Sequence, residues 1–245
     1  MSERLNHKQP IEGVAVQQLE LLLRYSSCIR ATPVEEDTMD LEAPLRTIAS
    51  PVEAEVLRVL AGADTEFTAP QVQRLAATSS PYGVRKALAR LAESGLVIPD
   101  RYGTTYTWRA NRRHLLWPAI EIAAGARGQL LDRIRDEVQQ ERGVSAYLYG
   151  SMARHETSPE SDVDVLLVFP DDRDTEQIID FAHELSDNIA AWTGNRGQIY
   201  SVTRSGLADM VRRGDSIVTS LRADAIPLVG PELARLLLDL EPTHG

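Results

Sequence analysis

Apolar residues recur at helical spacing over residues 51–60, where Val52, Val56, Val59 and Leu60 share one face. A shorter helix is predicted from Thr68 to about residue 76, with Val72 and Leu75 turned inward. Ser79, Ser80 and Pro81 supply a hydroxyl cap followed by proline in the first turn, so a third helix starts there. Val84, Leu88 and Leu91 form its buried stripe and Gly95 ends it. Residues 96–98 and 104–108 then predict two strands joined through Asp100 to Gly103. A long helix is predicted over about 119–140, with Ile120, Ala123, Ala124, Leu130, Leu131 and Ile134 on its apolar face. The apolar runs 144–149 and 163–169 predict two buried strands, and 197–202 a third. Between the last two lies an amphipathic helix over 175–192, carrying Ile178, Phe181, Leu185 and Ile189; its His183 is expected at the surface. Short helices at 205–213 and 216–221, an edge strand at 225–229 and a closing helix at 232–240 complete the pattern. Upstream, residues 11–23 form one amphipathic stretch and 32–37 an acidic, proline-containing one.

These elements divide the chain into an N-terminal extension (1–44), a first unit (45–114) and a second unit (115–245). Three helices followed by a β-hairpin resemble a winged helix-turn-helix domain. The resemblance implies that the third helix enters the major groove of DNA, with Tyr82, Arg85, Lys86 and Arg90 projecting from it. Arg101, Tyr102 and Thr104 would lie on the wing. The same fold also serves protein contact.

Composition changes this picture in one respect. The net charge of −10 argues against a uniformly basic nucleic-acid binder, yet residues 71–114 carry eight Lys or Arg against only Glu93 and Asp100. A basic block in an acidic chain is the footprint expected for phosphate-backbone contact. The single cysteine, Cys28, excludes an internal disulfide framework and fits a reducing, cytoplasmic setting. No apolar run approaches the ~20 residues that span a bilayer, so no membrane role is expected. The first residues do not read as a secretion signal.

The chemistry is concentrated in two linked motifs. Gly150-Ser151-Met152-Ala153-Arg154 directly follows a predicted strand. Glycine permits the sharp turn, and the free N–H groups and dipole of the short helix behind it favour a phosphate, to which the Ser151 hydroxyl can add a hydrogen bond. Ser161-Asp162-Val163-Asp164 then opens the next strand. A period of two residues sends Asp162 and Asp164 to the same side. Two adjacent carboxylates in an apolar run repel unless a cation sits between them, and Mg²⁺, a hard ion held by one or two carboxylates plus substrate phosphates, suits them.

Together these residues resemble the DNA polymerase beta-type nucleotidyltransferase superfamily, and most closely its minimal branch, over about residues 140–230. Arg154 and Ser161 match the longer form of the branch signature. The resemblance implies an α+β fold with a mixed sheet flanked by helices, placed behind an all-α, winged-helix N-terminal domain. It also implies two-metal transfer of a nucleoside monophosphate from an NTP, with Asp162 and Asp164 as catalytic metal ligands and Gly150, Ser151, Arg154 and Ser161 at the nucleotide. Arg196 and Arg204 are further candidates for the triphosphate. The superfamily supplies a third carboxylate from a later strand. Here that strand, residues 197–202, holds no Asp or Glu, and Gln198 or Tyr200 stands at the position. Glutamine can coordinate a cation but cannot act as a general base. Asp171, Asp172 and Asp174 read as a solvated turn.

Three functions follow from these motifs. One is a Mg²⁺-dependent nucleotidyltransferase that a winged helix recruits to DNA or to a protein acceptor. The second is a DNA-binding regulator whose transferase-like unit only binds nucleotide, a reading favoured by the missing carboxylate. The third is an antitoxin-like partner of another protein. Paired DNA half-sites would suit a homodimer.

Overall fold

The structure is a computed structural model that describes residues 38–76, 80–156, 158 and 161–240. The stretches at 11–23 and 32–37, Cys28 and Ser79 lie outside the described residues.

After a 3₁₀ turn at Pro44–Thr47 come α1 (Pro51–Ala61), β1 (Phe67–Thr68), α2 (Ala69–Ala76), α3 (Pro81–Glu93), β2 (Val97–Tyr102) and β3 (Thr105–Ala110). Ser80 caps α3, its Oγ accepting from the Gly83 N–H at 3.0 Å. The strands form an antiparallel sheet in the order β1-β3-β2, with β2 and β3 as a hairpin. Val56, Leu60, Val72, Val84, Leu88 and Leu91 lie at the buried centre of this half. The hairpin strands run longer than their apolar cores, because backbone pairing continues out to Tyr102 and Thr105 once the chain has turned. Leu75, expected inside, is 54% exposed; Ala76 takes the inward place beside Val72, the i,i+4 neighbour that faces α1 and α3.

The long helix expected over 119–140 is two helices, α4 (Trp117–Ala124) and α5 (Ala126–Gln140), which meet at Gly125. Gly125 leaves helical geometry (φ −89°, ψ 7°). The break lets the two helices serve different cores: Trp117 and Ile120 pack with the first unit, whereas Leu130, Ile134 and Val138 pack with the second.

The second half contains β4 (Ser145–Tyr149), α6 (Gly150–Ala153), β5 (Val163–Phe169), α7 (Thr175–Thr193), β6 (Gly197–Thr203), α8 (Arg204–Arg213), α9 (Ser216–Asp224), β7 (Ile226–Val229) and α10 (Leu233–Leu240). Its four strands lie in the order β6-β5-β4-β7. β5 and β6 are parallel and the other pairs antiparallel, so the sheet is mixed. Alternation along the strands separates two faces. Ala146, Leu148, Val165, Leu167 and Phe169 meet Ile134 and Val138 of α5 and Ile178, Leu185 and Ile189 of α7. Tyr147, Leu166, Val168 and Val202 meet Leu207, Met210, Val218, Leu221, Leu233 and Leu236 of α8, α9 and α10. The fold is therefore α+β, a helical N-terminal region followed by a mixed sheet flanked by helices. Among the described residues no helix is long and apolar enough to cross a membrane.

The turn after β5 leaves Asp171, Asp172 and Asp174 exposed, as expected, and two of them also anchor it. Asp174 caps α7 by accepting from the Glu176 N–H at 2.8 Å, and Asp171 accepts from the Ser205 N–H at 2.7 Å, tying the end of β5 to the start of α8.

Leu166 sits at the middle of the sheet with no exposure. Leu166→Ala should lower unfolding free energy by about 2–5 kcal/mol, the range for a truncated buried leucine. Urea titration followed by circular dichroism measures this as an earlier midpoint.

Candidate active site

The antiparallel pairing of β4 with β5 places Tyr149 opposite Asp164. The turn that follows Tyr149 therefore lies against the carboxylate. Gly150 has φ +75°, a left-handed conformation that side chains rarely adopt, and a Cβ built on it would collide with Asp164 Oδ2 and come 3.1 Å from Asp164 Cγ. Glycine is thus required twice here, for the turn and for the close approach of the carboxylate. Ser151 follows, half-buried, in the single turn α6.

On the other side of β5, Asp164 is paired with Gln198 of β6. Residues paired across strands point to the same face, so Gln198, Asp164 and Tyr149 form one row at one end of the sheet, on the face covered by α8, α9 and α10. Asp162 precedes the strand on the same side. Gln198 is exposed and Tyr200, two residues on, donates its hydroxyl to Met210 Sδ at 3.7 Å. β6 brings no carboxylate to the row.

Burial raises the Asp164 carboxyl to about 6; the negative charge of Asp162 adds to the shift, Arg154 opposes it, and Asp224 adds again. Burial, helped by the charge of Asp164, also pushes the Tyr149 phenol far up, so it stays neutral. Asp224 is a residue of the site for which the sequence offered no signal. It ends α9, its side chain is 10% exposed, and its Oδ2 accepts from Arg154 Nη1, while Oδ1 is buried without a hydrogen-bond partner among the described residues. Arg154 Nε also donates to Glu156 Oε2 at 2.9 Å.

Other residues hold the loops around the site. The Ser161 hydroxyl accepts from the Ser158 N–H at 2.8 Å, which shapes the approach to Asp162. Asn195, 1% exposed, donates from Nδ2 to the Ser161 carbonyl at 3.3 Å and accepts from the Met39 N–H at 3.2 Å. Arg127 Nη2 donates to the Met152 carbonyl at 2.8 Å and its Nε lies 3.2 Å from Glu42 Oε1, bracing the turn from α5. Asn195 and Arg127 are read only from the fold, since neither belongs to a motif. Arg196 stands at the Asp164 end, where its carbonyl accepts from the Val163 N–H at 2.8 Å. Arg204 does not: Thr203 pairs with Phe169, so Arg204 lies at the far end of β5, about 17 Å away at ~3.3 Å per residue. The parallel run of β6 carries it away from Asp164.

Asp162 and Asp164 offer the hard oxygen donors a divalent cation needs, and a half-buried carboxylate whose charge is otherwise poorly compensated fits one. Among the described residues no three His, Cys, Asp or Glu side chains converge tightly enough to hold a metal alone. Oxygen atoms of a substrate would complete the shell.

In the N-terminal half, Tyr82 is 71% exposed and Arg85 and Lys86 lie beside it on the outer face of α3, with no ion pair to any described residue. Arg90 differs: its Nε donates to the buried carboxylate of Glu53, and that hydrogen bond holds the Glu53 carboxyl below its usual range. The Arg90 side chain is nevertheless 64% exposed. On the hairpin, Arg101 lies 5.6 Å from the Tyr106 ring centre and donates to the Gly103 carbonyl at 2.9 Å; Tyr102 is 61% exposed.

The raised Asp164 carboxyl has a testable sign. Its folded value, about 6, exceeds the ordinary 3.8, so the folded protein holds the proton more tightly and loses stability as pH rises through about 4 to 6. Asp164→Asn should therefore raise the melting temperature of the metal-free protein at pH 7.5, by the equivalent of up to about 3 kcal/mol, and hardly change it at pH 4. Differential scanning calorimetry at the two pH values decides; an equal shift at both would contradict a buried, charged Asp164.

Residues 131–200 match the family described as nucleotidyltransferase domain. No curated protein matches the chain. Among solved structures, a toxin–antitoxin with AMP-PNP aligns at 16% identity over 45% of this chain and 82% of that one, with a TM-score of 0.33. A single-site mutant of Lactococcus lactis ZitR aligns at 16% identity over 54% of this chain and 86% of its own, with a TM-score of 0.29. Wild-type ZitR in complex with DNA aligns at 15% identity over 54% and 90%, with a TM-score of 0.26. Alignments this weak transfer nothing about function. The family match rests instead on the stretch that contains the glycine turn, both aspartates and the β6 row, and residues 131–200 of this chain carry a nucleotidyltransferase-family domain.

Proposed function

We infer that the protein is a Mg²⁺-dependent nucleotidyltransferase that moves a nucleoside monophosphate from an NTP to an acceptor hydroxyl, with residues 45–114 acting as a winged helix that binds DNA. The observation that carries the first part is the seating of the Gly150–Ser151 turn directly on Asp164 at one end of the mixed sheet. Asp162 and Asp164 would hold Mg²⁺, which would supply positive charge to offset the negative charge developing on the departing pyrophosphate. The missing Cβ at Gly150 lets the turn sit against the carboxylate, and the N–H groups and hydroxyl at Ser151 would orient a phosphate there. Arg154, four residues on, can reach the same phosphates. The acceptor oxygen forms its bond to the α-phosphorus as the bond to pyrophosphate breaks, and the hydroxyl proton must leave. Gln198 cannot take that proton. This last fact favours a second reading, a DNA-binding regulator in which the site only senses nucleotide.

The DNA reading rests on Arg85 and Lys86, exposed cations on α3 beside Tyr82, and on Arg101 and Tyr102 of the hairpin. Arg90, on the same helix, would reach DNA from beside its ion pair with Glu53.

Calorimetric titration with ATP, GTP, CTP and UTP in the presence of Mg²⁺ should show binding of at least one nucleotide, weakened at least tenfold or so in Asp164→Ala, because a cation site loses its central ligand. Absence of binding by wild type to all four would remove the transferase reading, whereas tight binding without label transfer from an α-labelled NTP would favour the sensor. Separately, Arg85→Ala with Lys86→Ala should weaken binding to duplex DNA and reduce the slope of log K against log salt by about two, the loss of two phosphate contacts. A salt slope unchanged in the double variant would assign the α3 face to protein contact.

A further inference from the structure

We propose that Asp224 is the third carboxylate of this site, supplied from the end of α9 rather than from β6, and that Arg154 holds its place until cation and nucleotide arrive. The inference rests on the nucleotidyltransferase reading and supplies what Gln198 lacks.

Topology brings Asp224 there. Ile226 of β7 pairs with Leu148 of β4, so the chain two residues earlier stands at the Tyr149–Gly150 end of the sheet. α9 covers the face on which Asp164 and Tyr149 lie, through Val218 and Leu221. Arg154, which ends the glycine turn seated on Asp164, forms an ion pair with Asp224 and so ties the end of α9 to that turn.

Its environment points to a missing partner. A carboxylate about nine-tenths buried needs compensation for both oxygens. Oδ2 has Arg154; Oδ1 has no hydrogen-bond partner among the described residues. Arg154 is a movable substitute for that compensation. It follows the phosphate turn directly, its side chain is 45% exposed, and it is shared with Glu156. A triphosphate at Ser151 would draw the guanidinium toward itself, since arginine matches phosphate oxygens with two parallel donors. Asp224 would then turn to the cation shared with Asp162 and Asp164. Here Arg154 is paired with Asp224 and its charge also acts on Asp164, and among the described residues no three carboxylates converge to hold a metal.

Binding of Mn²⁺ alone to the full chain, read from the electron paramagnetic resonance signal of the free ion, tests the exchange. Arg154→Gln should tighten Mn²⁺ about tenfold, and adding Asp224→Asn to it should abolish the gain, an effect of the size expected when a supporting group of a metal site is changed. A gain that persists in the double variant, or no gain in Arg154→Gln, overturns the inference. Asp164→Asn is the control on the underlying reading. If it leaves Mn²⁺ binding intact, the aspartate pair is not the cation site; if it abolishes binding while Arg154 and Asp224 show no coupling, only the role of Asp224 falls. Should Arg154→Gln fail to fold with Asp224 left unpaired, calorimetry with Mn²⁺ and tripolyphosphate on Asp224→Asn replaces it. There a loss of about tenfold is expected, and affinity equal to wild type overturns the role.

Discussion

The antiparallel contact between β4 and β5 is the constraint on which the candidate site depends. It sets the end of one strand, where the chain must turn, against the start of the next, where two aspartates alternate with buried valines. The turn can approach only because residue 150 has no Cβ, and the approach in turn shields Asp164 from water. A carboxylate desolvated in this way disfavours its own charge, and the neighbouring carboxylates Asp162 and Asp224 increase the effect. The fold thus concentrates negative charge where it is poorly solvated, a configuration that a bound cation relieves.

Around that contact the structure invests in fixing loops. Asn195 joins the loop ahead of Asp162 to the chain at Met39, and Arg127 joins α5 to the carbonyl of Met152. Leu41 packs into the core of the four-stranded sheet although it precedes the first unit in sequence. The chain therefore reaches the second unit before it builds the first. Glu42 takes part in the same bracing, through Arg127 and through His155, whose backbone has φ +58° directly after Arg154. Strain at that residue is consistent with a turn held by its surroundings rather than by local preference.

The N-terminal half shows how burial redistributes charge. Two buried glutamates of α1 organise three arginines: Glu53 takes Arg90, and Glu55 takes Arg46 and Arg58. Arg112 is divided between Asp64 and Glu121. Of the eight cations in the basic block at 71–114, Arg90 and Arg112 are drawn into these pairs. Arg85 and Lys86 stand side by side and exposed on α3, outside these pairs.

Local periodicity is sufficient for most elements, because a helix stripe at 3.6 residues or a strand at two is written in adjacent residues. It also locates the glycine turn and the paired aspartates, whose spacing is itself the chemical signal. It fails where neighbours distant in sequence decide. The continuous apolar face over 119–140 conceals the break at Gly125, since both halves are amphipathic and only their different cores separate them. Leu75 and Ala76 can each face inward until α1 and α3 are in place. Nothing nearby in sequence marks Glu53 as the partner of Arg90 or the far end of a parallel strand as the position of Arg204. Asp224 is the clearest case. Sixty residues from Asp164, at the end of an ordinary helix, it carries no motif, and only the packing of α9 and β7 against β4 brings its charge to the site. The sequence by itself determined the strands, the turn and the first two carboxylates, which are set by neighbours along the chain. Tertiary structure alone decided which charges meet, because electrostatic partners are chosen by distance through space.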